Sequence, residues 1–394
     1  MKTGLIFLTL GYVLSQFYRA FLAVLAPSIS ADTGASANDL ALSSGLWFLA
    51  FAAMQLPVGW ALDRIGPRRT AAWLLGLSGS GGAVVFAAAQ GSWSIHLAMI
   101  LIGIGCSPVL MASYYIFARM YPAGVFATLA AAMIGLGTLG NLASALPLAV
   151  AAEAFGWRGS VLILAAITLL TALALGRFIE DPPKAPDAEP GDGSLLDLLR
   201  NPAILLILPI LLVNYAPAAG LRGLWVGPYY VDVFGASSTG VGQVTLLMGI
   251  AMVAGSFAYG PLDRLLGTRK WVVLVGNLLG AACLMALWAA PEAGFWTAAL
   301  LLAGVGLFGM SFPMLMAHGR SFFPPHLVGR GVTLLNLFGI GGVGVFQLLS
   351  AQVFATAEAT TTTAEGPYQA LFLFFGVALL VGCAVYAFSR DRTD

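Results

Sequence analysis

Long uninterrupted apolar runs restrict this chain more than any other feature. A helix that crosses a bilayer needs about 20 mostly apolar residues. Such runs recur twelve times, at roughly 4–27, 40–62, 70–90, 94–117, 124–150, 158–178, 202–230, 238–261, 271–290, 294–317, 328–352 and 367–388. In hydrocarbon nothing outside the segment bonds to its backbone N–H and C=O groups, so each run is expected to be a helix. The expected class is an all-α membrane protein. Charge content agrees: 9% of the residues are Asp, Glu, Lys or Arg, against about 25% in a soluble domain. The net charge of +1 is silent about nucleic acid and no basic run suggests it, so nucleic acid is not an expected partner. The bilayer is the expected partner, together with a small-molecule substrate, and the expected state is a monomer. Cys106, Cys283 and Cys383 are scattered and make no CxxC. No GxxxxGK[ST] loop is present, so no ATP hydrolysis, enzyme site or cofactor is expected. The apolar N-terminus reads as a retained first helix, since no small-residue cleavage site follows it.

Residues 181–200 form a long polar stretch rich in Pro, Asp and Gly, and read as a linker. The expected organisation is a six-helix bundle over 1–178, a linker over 179–201 and a second six-helix bundle over 202–394. Basic residues set the orientation. The side holding both termini carries Lys2, Arg64, Arg68, Arg69, Arg119, Arg177, Arg264, Arg269, Lys270 and Arg330. The opposite loops carry Arg158 and mostly acids. Both termini are therefore expected in the cytoplasm, with the chain in a bacterial inner membrane.

The two halves repeat. Gly59-Trp-Ala-Leu-Asp63-Arg64-Ile-Gly66-Pro-Arg68-Arg69 after the second run matches Gly260-Pro-Leu-Asp263-Arg264-Leu-Leu-Gly267-Thr-Arg269-Lys270 after the eighth. Pro108-Val-Leu-Met-Ala112 matches Pro313-Met-Leu-Met-Ala317, and Arg19 matches Arg222. The offsets are 200, 205 and 203 positions. Two parallel halves suit a transporter that rocks about a central site. The run GWALDRIGPRR resembles the signature loop of the major facilitator superfamily. The resemblance implies that superfamily's fold, two pseudo-symmetric six-helix bundles. It also implies a latch made by Gly59, Asp63, Arg64, Gly66, Arg68 and Arg69, with a weaker copy at Asp263 and Arg264.

Charges deep in a membrane are costly and mark functional sites. Arg19 stands well inside the first run and Arg222 inside the seventh. In the resembled architecture those helices line the cavity. The alternative for each is snorkelling to the interface. No Asp or Glu stands in the middle of any run, which leaves His318 as the buried titratable candidate. Its alternative is a satisfied interfacial histidine. Phe17, Tyr18, Tyr114, Tyr115, Asn214, Tyr215, Trp225, Asn336 and Gln347 form an aromatic and amide group suited to a flat ring substrate. Each one taken singly also fits ordinary packing. Met248 and Met252 share a helix face and offer soft ligands for Cu(I), or else simply fill a gap. Gly276 and Gly280, and the glycine-rich stretches 135–140 and 339–344, read as close-packing surfaces.

The stretches GYVLSQFYRAFLAVLAP, SSGLWFLAFAAMQLPVGWALDRIGPRR and MLMAHGRSFFP resemble a narrower alphaproteobacterial group. It contains CcoA-like copper importers and RfnT-like riboflavin importers. Copper members of the group pair MxxxM with HxxxM on the next helix, and this chain has no histidine in its ninth run. The resemblance therefore implies riboflavin as the imported solute, with copper as the alternative. From the residues alone a third reading stands. Two intramembrane arginines without an intramembrane acid suit an organic anion, since guanidinium groups hold carboxylates and phosphates.

Overall fold

The computed structural model describes residues 2–121, 123–182, 198–323 and 328–392. Most of the linker expected at 179–201 therefore lies outside the described residues. No strand occurs among those described. Ten described helices are long and apolar enough to cross a membrane. Thr3–Tyr18 and Phe21–Thr33, bent by 50° at their junction, make one further span. Gly156 (φ 70, ψ 161) interrupts Leu146–Phe178. The run expected at 124–150 is covered by Ala123–Ala143 and the part of Leu146–Phe178 before this break, and Ala132–Ala143 within it is apolar but shorter than a full span. Side chains such as Leu77, Leu170, Phe257 and Leu300 are more than half-exposed. In a chain of this composition such a face looks onto lipid. Trp60, Trp73, Trp93, Trp271 and Trp296 are exposed, and exposed tryptophans suit membrane interfaces.

Local signals explain the helix starts that differ from the expected ones. Ser36 and Asp39 form a capping box, so Ala37–Ala53 begins three residues early. Pro67 follows Gly66 and starts its helix at 67 rather than 70.

The chain divides into two compact units. One holds Met1–Asp187 with Ser238–Gln243, and the other holds Ala188–Ser237 with Val244–Asp394. Buried side-chain hydrogen bonds tie the first unit together. The hydroxyls of Tyr18 and Thr168 meet at 3.0 Å, Ser80 donates to the Ala165 carbonyl at 2.8 Å, and Ser43 meets His96 Nδ1 at 2.7 Å. Such bonds compensate polar groups taken out of water.

Glycine permits the closest helix contacts. A Cβ on Gly140 would run into the carbonyl of Val13, and one on Gly342 into the carbonyl of Leu212. In each unit, then, the first helix packs on the fifth through a glycine from the rich stretches. Gly276 differs from the expected helix-on-helix contact, because its space is filled by the Tyr259 hydroxyl.

Candidate functional site

In the first unit the site begins where the first helix breaks. The Ala20 N–H donates to the Phe17 carbonyl at 3.1 Å, a tight turn that ends Lys2–Tyr18. Arg19 stands in this turn. Its guanidinium carbon lies 5.5 Å from the Trp47 ring centre and 4.9 Å from that of Phe51. These rings are four residues apart on Ala37–Ala53 and stack at 5.2 Å, 18° from parallel. A cation over aromatic faces gains electrostatic energy, but the rings accept no hydrogen bond along the fork of the guanidinium. Arg19 Nε is buried with no partner.

Two neighbours are left in the same condition. Trp47 is 1% exposed and its Nε1–H meets no acceptor. Gln16 donates from Nε2 to the Tyr12 hydroxyl at 2.8 Å, which leaves its buried Oε1 unpaired. Among the described residues no carboxylate is paired with Arg19. Every acid in a described helix, namely Asp32, Asp39, Asp63, Glu153, Asp232, Asp263 and Glu358, lies within four residues of a helix end or of Gly156.

In the second unit the corresponding helix is broken further. Pro202–Asn214 gives way at Tyr215 to Ala216–Gly220, then to a π-helical turn, Leu221–Trp225, which carries Arg222. Arg222 is 2% exposed and donates from Nε to the Thr245 carbonyl at 3.2 Å. Asn214 donates to Asn277 Oδ1 at 2.7 Å and to Ser311 at 2.8 Å, while its Oδ1 is unpaired. Gln347 is fully buried, and both atoms of its amide lack a partner.

The remaining expected site residues fall into place as follows. Phe17 and Tyr18 are buried, and Tyr18 spends its hydroxyl on Thr168. Trp225 donates to Ser350 at 2.9 Å and stacks on Phe354. Tyr114 packs at the edge of an apolar cluster around Leu8, Val109 and Leu175. Tyr115 bonds to and stacks under Arg119, near the charged end. Tyr215 and Asn336 are half-buried. His318 is fully buried, with Nε2 3.0 Å from the Arg390 carbonyl and Nδ1 2.7 Å from the Tyr386 hydroxyl. A carbonyl only accepts, so Nε2 carries the proton and Nδ1 accepts from Tyr386. Both ring nitrogens are thus engaged within the unit. Met248 and Met252 pack against Gly306, as the backbone of Trp47 packs against Gly103 in the first unit. Among the described residues no cluster of three His, Cys, Asp or Glu offers a metal site.

The repeated loops share one device. Gly66 (φ 100) and Gly267 (φ 66) both need the left-handed region that glycine tolerates. Asp181, just after the last helix of the first half, accepts from the Arg68 N–H at 2.8 Å, with Arg68 Nε at 3.9 Å. Asp391, just after the last helix of the second half, accepts from the N–H groups of Lys270 at 2.9 Å and Arg269 at 3.2 Å and from the Thr268 hydroxyl. Burial alone raises the Asp391 carboxyl. The bonds from Thr268, Lys270 and Arg269 outweigh it and hold the group below the usual carboxylate range. Arg64 and Arg69 are exposed, and Gly59 has open space about it. The side chains of Asp63, Asp263 and Arg264 lie outside the described residues.

Sequence reasoning missed five of these residues. Asp181 and Asp391 carried a signal, since each follows the last helix of its half. Tyr12 carried one too, being 203 positions before Tyr215, the same offset as the arginines. Gln16 and Trp47 carried none beyond their neighbourhood.

Comparison with known proteins follows this geometry. The family model described as Major Facilitator Superfamily matches residues 8–221 and again 220–394. A protein named putative tartrate transporter, from Agrobacterium vitis, is 25% identical over 421 residues, covering 98% of this chain and 92% of its own. Two solved structures share the fold. The D-xylose-proton symporter superposes with a TM-score of 0.81 at 15% identity, over 98% of this chain and 97% of its own. A bacterial homolog of the human lysosomal transporter Spinster superposes with a TM-score of 0.75 at 19% identity, over 98% and 96%.

Proposed function

This chain belongs to the major facilitator superfamily, and from that premise we propose that it carries a small organic anion, with Arg19 as the countercharge for a carboxylate. The superfamily makes it a transporter rather than an enzyme. The observation that carries the reading is the buried, unpartnered Nε of Arg19 above Trp47 and Phe51. A buried guanidinium N–H without an acceptor is costly, and a carboxylate accepts such N–H groups in the geometry they offer. The similarity to a protein named a tartrate transporter supports the same class.

Riboflavin import, implied by the resemblance to the RfnT-like group, draws less support from these residues. Tyr18 and Trp225, two of its aromatic candidates, have spent their polar atoms on Thr168 and Ser350. Copper import through Met248 and Met252 is likewise less favoured, since both side chains serve as packing, their Cγ atoms set against Gly306. We place the chain in a bacterial inner membrane as a monomer with both termini cytoplasmic, moving its solute by alternating access. The loops held by Asp181 and Asp391 are the latches of that cycle.

The test is uptake into membrane vesicles of three labelled solutes in parallel: malate, riboflavin and copper. Malate uptake is expected, falling about tenfold or more in Arg19→Gln. Riboflavin or copper uptake without malate uptake overturns the reading, as does malate uptake indifferent to Arg19.

A further inference from the structure

We propose that Gln16 reads a hydroxyl group next to a carboxylate held by Arg19 and Trp47, so that the first unit selects hydroxycarboxylates over plain ones. The proposal rests on the carboxylate reading above and names the residues that would narrow it. Three buried polar atoms are left over: Arg19 Nε just past the end of the first helix, Nε1 of Trp47, whose ring lies under Arg19, and Gln16 Oε1 in the helix's last turn. The first two are donors only, and the third is an acceptor only. A plain carboxylate offers acceptors and no donor. It satisfies Arg19 and Trp47 and leaves Gln16 Oε1 buried and unpaired. A hydroxyl both donates and accepts, so a ligand with a hydroxyl beside its carboxylate closes the whole set.

The surroundings prevent the protein from closing it internally. Gln16 is fixed by its own bond to Tyr12 at 2.8 Å, which uses Nε2 and orients Oε1 away. Gln16 stands in the last turn of Lys2–Tyr18, three residues before Arg19. The Trp47 indole is clamped between Phe51, stacked at 5.2 Å, and Phe48, edge-on at 4.9 Å. It cannot swing to another acceptor. A site with buried groups awaiting a hydroxyl rejects the analogue that lacks one far more strongly than an apolar pocket does.

Succinate, malate and tartrate test this in one assay. They are four-carbon dicarboxylates of equal charge with no, one and two hydroxyls. In proteoliposomes the wild type is expected to favour malate over succinate by about tenfold or more, as an unpaired buried acceptor costs that much. In Gln16→Leu the malate-to-succinate ratio collapses toward one, whatever the absolute rates. Trp47→Phe keeps the ring under Arg19 and loses only the N–H, so it lowers uptake of malate and succinate together and leaves their ratio unchanged. Equal use of succinate and malate by the wild type overturns the proposal while leaving the carboxylate reading standing. A Gln16→Leu protein with the wild-type ratio does the same. Uptake of none of the three overturns both. The wild-type ratio is read without any variant, so a variant that fails to reach the membrane does not decide the matter.

Discussion

A guanidinium lying over two stacked rings, with a buried N–H unspent, is a costly arrangement until a ligand completes it. Arg19 is in this state, whereas its repeat partner Arg222 donates to the Thr245 carbonyl inside its own unit. The two arginines are equivalent in spacing and differ in neighbours. Their place inside apolar runs could be read from the sequence, and their partners could not, because partners come from helices far along the chain. A second buried polar group shows how such partners stabilise. Ser311 accepts from both Asn214 and Asn277, at 2.8 and 3.1 Å. Ser311→Ala is expected to lower stability by about 1 kcal/mol, seen as earlier thermal unfolding in detergent. Asp391 gives a prediction with a pH sign. Its folded carboxyl is held below the usual range, so its contribution is present at neutral pH and lost as pH falls through that lowered value. Protection of the Arg269 and Lys270 N–H groups against hydrogen exchange, relative to an unstructured peptide at the same pH, should be high at neutral pH and fall in acid. In Asp391→Asn that acid-driven change should vanish.

At the scale of elements, breaks rather than lengths position the candidate site. The first helix of each half breaks, at 19–20 and at 215, and so does the fourth, at Ser107 and at Gly309–Ser311. Pro108 and Pro313 announced the fourth-helix breaks. Nothing announced the bend at Arg19, where no proline or glycine stands, nor the π-helical turn around Arg222. Both arise from packing, which period and composition do not encode. Glycine contacts were more legible: the rich stretches 135–140 and 339–344 supply the residues against which backbones pack. They yield a paired prediction. Gly140→Ala drives a methyl into the Val13 carbonyl and should cost about 3 kcal/mol. Gly135→Ala, with nothing within 4 Å of the added carbon, should be neutral or stabilising by about 0.5–1 kcal/mol. Thermal unfolding of the two variants side by side checks the difference.

The whole molecule is a repeat, and that was its most legible property. The Asp-Arg loops, the Pro-containing helices and the arginines all recur at offsets of 200 to 205 positions. The structure adds two left-handed glycines and one carboxylate per half holding each loop. Those carboxylates lie outside the repeated motif itself, so motif reading passed over them. If the loops are latches, Asp181→Ala and Asp391→Ala alter the transport cycle and not the binding of solute. Each should change the uptake rate about fivefold or more with little change in malate affinity, a split that initial-rate kinetics resolves. Substrate identity was the least legible property, because the fold serves many solutes and the choice rests on a few buried atoms. Calorimetric titration of the purified protein with malate tests the central claim most directly. The account predicts saturable binding by the wild type, lost in Arg19→Gln. No binding to the wild type, or equal binding to both, would contradict it.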